Sequence, residues 1–373
     1  MANVTERSHP LRASLSAEMH VRRLPPFAAP ARLVQVVTLL DDEGAARAAH
    51  TIALLAAAAG MTLPESAKYA VIPLEEATLV WERHTEFATY TVLRSGPFDD
   101  ANPFDPSQFG PQADALLADI PGQVIRATQI ALRGRDTPAP TSDALGNWFF
   151  TEATIICNVA AGRARIYSDF RLHPDGYGRL LVHDTGLEGD DAPQLVMRLQ
   201  ELGNYRNMAL LGLPLAQATT AEVTRLEQRL AALTHSVSER VSQDDALLDE
   251  LTFLSAELAR LAATTRYRMS ATRAYAQLSI ERLRSLNIAP VSGHQSLDDF
   301  TERRLMPAVR TCDSFSQRLD DLSQRAAWAS ELLRTRIDIA LAKQNRDLLT
   351  SMDRRTQLQL RLQQTVEGLS VVA

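Results

Sequence analysis

Trp81-Glu82-Arg83-His84-Thr85-Glu86-Phe87 is the densest run of chemically capable side chains in the sequence. On a β-strand, the two-residue period puts Glu82, His84 and Glu86 on one face and Trp81, Arg83, Thr85 and Phe87 on the other. A carboxylate, an imidazole and a second carboxylate in a row are the donors of a Zn²⁺ or Mn²⁺ site, or of a histidine held as a general base. Side chains two residues apart on a strand stand about 7 Å from each other, so the row needs a further ligand from elsewhere to close a metal site. The commoner role of such a row is a solvated strand face on which two acids screen His84.

His9, Glu18 and His20 form a second group, on a helix expected over residues 9–22, but Glu18 and His20 do not face each other at helical spacing. His173 and Asp175 belong to a turn, and His183-Asp184 closes a strand; both patterns are more often turn chemistry than ligands. No glycine-rich phosphate loop, Gly-x-Ser-x-Gly elbow, His-Glu-x-x-His helix or Cys-x-x-Cys pair is present. No motif calls for an organic cofactor.

The elements that must hold these residues follow from periodicity and punctuation. Arg32–Leu40 is apolar and β-branched, suited to a buried strand, and Asp41 or Asp42 caps an alanine-rich helix running to Gly60. Further strands are expected at Tyr69–Pro73, Thr78–Thr85, Phe87–Leu93, Val124–Leu132 and Thr151–Ala160, with a hairpin of Arg163–Arg171 and Gly178–His183 across His173-Pro174-Asp175-Gly176. Ala192–Leu211 reads as a helix ending at Gly212 and Pro214. The expected fold class is α+β, with a mixed α/β sheet domain over residues 1–215 and a long antiparallel, coiled-coil-like helical stalk over residues 216–373.

The stalk rests on two signals. From Thr219 onward the chain holds only two of its 16 glycines (Gly293, Gly368) and two of its 18 prolines (Pro290, Pro307). Val223, Leu226, Leu230, Leu233, Val237, Leu247, Leu251, Leu254, Leu258 and Leu261 follow the three- and four-residue steps of a heptad seam. One helix to about Asn287, a break at Ile288–Gln295 and a second helix from Leu297 make an antiparallel pair. Such a seam predicts a homo-oligomer formed through the stalk.

Charge limits the partners. The net charge of −6 comes from the first 218 residues, which carry 18 basic and 25 acidic side chains, and no basic excess exists to track nucleic acid. Of the 39 basic residues only Lys68 and Lys343 are lysines. Cys157 and Cys312 form no disulfide framework and fit a reducing compartment. The last helix ends on the apolar run Val366–Ala373 behind Arg354, Arg355 and Arg361, the bias of a segment about to enter a membrane from the cytoplasmic side.

Four segments resemble a bacterial family of uncharacterised membrane-anchored proteins: His9-Pro10-Leu11-Arg12 with Glu18-Met19-His20, Trp81–Phe87, Tyr205-Arg206-Asn207-Met208-Ala209-Leu210-Leu211-Gly212-Leu213-Pro214, and Asn345–Val371. The resemblance implies a soluble portion followed by membrane helices beyond Ala373, at the cytoplasmic face of the bacterial inner membrane. It brings no catalytic residues. Val21-Arg22-Arg23 stands where the family usually has Ala-Arg-Pro. The layout is also similar, as architecture alone, to CorA-type divalent-metal channels. The expected function is a non-enzymatic interaction or scaffolding module; the alternatives are the soluble domain of a CorA-like divalent-cation transporter and a metal-dependent enzyme using Glu82, His84 and Glu86.

Overall fold

The computed structural model describes residues 7–12, 15–16, 23–64, 66–105, 109–238 and 244–370. Glu18 and His20 lie outside them. The chain forms two units, Met1–Leu210 with Ala274–Pro307, and Leu211–Arg273 with Ala308–Ala373.

In the first unit the β-branched run forms β1 (Ala31–Leu39), and Asp41 caps α1 (Asp42–Ala58) by accepting the Gly44 amide at 2.7 Å. Then come β2 (Tyr69–Pro73), β3 (Thr78–Arg83), β4 (Phe87–Ser95), α2 (Pro111–Ala118), β5 (Gln123–Arg133), α3 (Ser142–Trp148), β6 (Ile155–Val159), β7 (Ala164–Ser168), β8 (Gly178–Asp184) and α4 (Asp191–Leu210). The expected hairpin forms between β7 and β8, Ser168 opposite Leu180, with Gly176 at φ +83° in its turn.

The nine strands lie in the order β2-β3-β4-β1-β5-β8-β7-β6-β9, where β9 is Ala289–Pro290. Every pairing is antiparallel except β5 with β8. β1 is central and buried on both faces, so alternate residues serve two cores. Val34 joins Ile52, Trp81 and Tyr90 under α1 and α2. Leu33 joins Ile130, Val182, Leu195, Leu199 and Leu202 under α4. Leu283, Leu286 and Leu297 complete that second core, which is why residues 274–307 belong with the sheet rather than with the helical part that the sequence predicts from residue 216.

In the second unit, α5 (Gly212–Ser238), the Asp244–Arg273 part of α6 (Asp244–Ser285) and the part of α7 (Leu297–Ser370) beyond Ala308 share one core. Where the sequence predicts one helix to Asn287, two are present. Val223, Leu226, Leu230, Leu251, Leu254, Leu258 and Leu261 are buried against Phe315, Leu319, Leu322 and Leu333. The seam residues are therefore packed inside the chain, and nothing in their burial requires a coiled-coil partner. Residues 338–362 of α7 are exposed. Among the described residues no helix is long and apolar enough to cross a membrane.

Candidate functional site

The Trp81–Phe87 row is divided by a turn. β3 stops at Arg83, the His84 amide donates to the Phe87 carbonyl at 2.8 Å, and β4 starts at Phe87. Glu86 thus follows the bend and does not extend a strand face shared with Glu82 and His84. His84 Nε2 lies 3.6 Å from Glu82 Oε1, and its ring stacks on Phe87 at 4.1 Å. Among the described residues no three His, Cys, Asp or Glu side chains gather as metal ligands. Glu82 and His84 line a niche of about 40 Å³ with Tyr69, Glu201 and Tyr205. There Glu201 accepts Arg282 Nε at 2.6 Å, and burial pushes its carboxyl above the usual range, Arg282 opposing the shift. His173 meets a partner upstream of its turn, with Nε2 2.9 Å from Asp169 Oδ2 and both side chains buried.

A larger cavity lies beside this niche, also in the first unit. The sheet face under α4 should be uniformly apolar, but Gln35, Thr91, Arg126 and Thr128 interrupt it on three adjacent strands, with Gln35 opposite Thr91 on one side and Thr128 on the other. Gln35 Nε2 donates to Thr91 Oγ1 at 3.0 Å, while its Oε1 accepts Arg126 Nη1 at 2.9 Å. The same Nη1 donates to Asn204 Oδ1 at 2.9 Å. Gly203 makes room for this guanidinium: a Cβ there would stand 2.7 Å from Arg126 Cζ, Nε and Nη2.

One helical turn on, Arg206 comes from the same face of α4. Its guanidinium lies over the Phe170 ring at 4.8 Å, and its Nη1 is buried with no hydrogen-bond partner. Phe170 has φ +52° and stacks on Phe300 at 4.8 Å, a left-handed conformation that is costly for an aromatic residue. Asp169 fixes this loop by accepting the Phe150 and Arg171 amides as well as His173. Asn207 Nδ2 ties α4 to β5 through the Ile125 carbonyl at 3.2 Å.

Arg126 and Arg206 open onto one cavity of about 220 Å³. Burial, and then the neighbouring charge of Arg206, lower Arg126 to about 9; burial lowers Arg206 to about 10. Both therefore remain cationic at neutral pH. Arg133 and Arg282 of this unit meet acids, Asp100 at 2.9 Å and Glu201 at 2.6 Å. Among the described residues neither Arg126 nor Arg206 makes an ion pair, and no carboxylate contributes to either shift. Two neighbouring half-buried guanidiniums without counter-charge repel each other and favour an anion between them. Neither residue belongs to a sequence motif that marks a site; the available signals are that Arg206 stands in the Tyr205–Pro214 segment and that Arg126 interrupts an otherwise apolar strand.

Fold and cavity define a mixed-sheet α+β protein with a cationic chamber under one helix and a second, all-helical unit. The model of the family described as "Protein of unknown function (DUF3422)" matches residues 7–373, and the chain belongs to that family. No curated protein and no solved structure matches it.

Proposed function

We propose that the chain is a non-enzymatic binding module whose first unit takes an anion between Arg126 and Arg206. The observation that carries this is the pair itself: Arg126 and Arg206 line one cavity of about 220 Å³ without an ion pair, and Arg206 Nη1 lacks a hydrogen-bond partner. A buried donor in that state is stabilised when an acceptor arrives, and guanidinium forks suit carboxylate and phosphate oxygens. In this reading the module works at the cytoplasmic face of the bacterial inner membrane, as the family resemblance implies. The basic residues Arg354, Arg355 and Arg361 support that orientation.

The test is thermal unfolding of the full chain at low ionic strength across a concentration series of carboxylate and phosphate salts. A saturable rise in Tm that is lost in Arg206→Gln supports the reading. An unchanged Tm for every anion refutes it.

A further inference from the structure

We propose that the ligand is a small organic acid, one carboxylate or phosphate head on a compact apolar body, with the head between Arg126 and Arg206 and the body against the leucines of α4. This rests on the anion reading above and narrows it to a ligand class.

Size sets the upper bound. A cavity of about 150 Å³ is enough to admit benzene, and this one measures about 220 Å³. A ring or short branched chain plus its acidic head fits within it, on the order of ten non-hydrogen atoms. The walls set the lower bound. Beside the guanidiniums and the polar side chains of Thr128, Ser168 and Asn207, the chamber is lined by Ile166, Phe170, Leu180, Leu199, Leu202 and Leu297. A bare inorganic anion would satisfy the arginines but leave this surface against water, whereas an apolar body removes it from water at roughly 25 cal/mol per Å².

Charge sets the sign. The chamber's wall includes no Asp or Glu, and its rim adds Arg171, whose guanidinium lies over Phe150 at 5.4 Å. A cation would be repelled by both guanidiniums, and a neutral hydroxyl, although it can accept a hydrogen bond, would leave them without counter-charge. Arg126 is held by Gln35 and Asn204 through one nitrogen only, so its fork is already oriented before a head group arrives, which lowers the entropy of capture. The α4 helix supplies both halves of the recognition. Gly203 and Arg206 shape the charged end, and Leu199 and Leu202 line the apolar wall.

Five probes at matched ionic strength decide it in the full chain: benzoate, phenyl phosphate, inorganic phosphate, benzyl alcohol and benzylammonium. Expected are saturable rises in Tm with benzoate or phenyl phosphate, half-saturating at a concentration at least about tenfold below that of inorganic phosphate, as a buried ring's transfer energy implies. Benzyl alcohol and benzylammonium should leave Tm unmoved. Arg206→Lys, which keeps the charge and the fold but loses the fork, should weaken the response about tenfold. Which of the two aryl anions binds better distinguishes a carboxylate head from a phosphate head. Inorganic phosphate acting as strongly as both aryl anions would overturn the organic body and leave the anion site standing. Stabilisation by benzyl alcohol, or by none of the five, would overturn both.

Discussion

Arg126 lies flat against the backbone of α4 at Gly203, so close that a Cβ on residue 203 would stand 2.7 Å from the centre of its guanidinium. The missing side chain is thus a seat for the charge. In an ordinary exposed helix position Gly→Ala would stabilise by roughly 1 kcal/mol. Here the methyl group must displace a guanidinium pinned by Gln35 and Asn204. Gly203→Ala should therefore destabilise by about 1–3 kcal/mol and remove the anion-dependent rise in Tm. Urea unfolding with and without benzoate measures both. A variant that is more stable and still responds would show that Arg126 has room to move.

Arg206 carries a stability prediction of opposite sign. Removing one of two neighbouring half-buried guanidiniums relieves their repulsion, against the loss of about 0.5–1 kcal/mol from its contact with the Phe170 ring. Without added anion, Arg206→Met should leave the unfolding free energy unchanged or raise it by about 1 kcal/mol. With anion the order should reverse, because only the native chain gains. Chemical denaturation of both proteins in the two buffers tests the crossing, and a destabilised variant without anion would mean that Arg206 already has its counter-charge.

Arg126 also makes the site sensitive to alkali. Its folded value of about 9 lies below its ordinary value, so at higher pH the unfolded chain holds a proton that the folded chain has released. Stability from this group is therefore absent at neutral pH and appears as pH rises through about 9, with slope set by that one-proton difference. Tyr90 and Tyr205, both pushed up to about 12 by burial, act in the opposite sense, chiefly above pH 10. Anion binding should follow the charge: the Tm rise with benzoate at pH 7.5 should fall by at least half near pH 10. A response that is flat over that range would mean that Arg126 stays protonated.

Strand positions were legible because β-branched runs bounded by Pro and Gly leave little choice. Tyr69–Pro73 matches its expectation residue for residue, and the β7–β8 turn follows from Pro174-Asp175-Gly176. The Glu82–Glu86 row misled because alternation along Trp81–Phe87 looks the same whether the strand continues or turns. The turn uses no Gly or Pro to announce itself; it closes on a backbone bond from His84 to Phe87. α2 and α3 were missed because each is of eight residues or fewer, too short for a helical period to show. The arginine chamber was hidden for another reason. Arg126 and Arg206 are 80 residues apart in a chain with 39 basic residues, and what distinguishes them is a shared cavity wall that holds no acid, which only the packing of α4 on the sheet reveals.

The leucine seam now carries a prediction about association. Leu254 is fully buried, and the core it joins includes Leu226, Leu230 and Leu322 of the same chain. Truncating such a residue leaves a cavity, so Leu254→Ala should cost about 2–5 kcal/mol of stability. If the seam were the contact between copies, the same change would also lower the mass measured by light scattering at tens of micromolar. We expect the mass to stay that of the parent, whatever the parent's state, while the urea midpoint falls. A drop in mass without a fall in midpoint would place these leucines at a surface between chains.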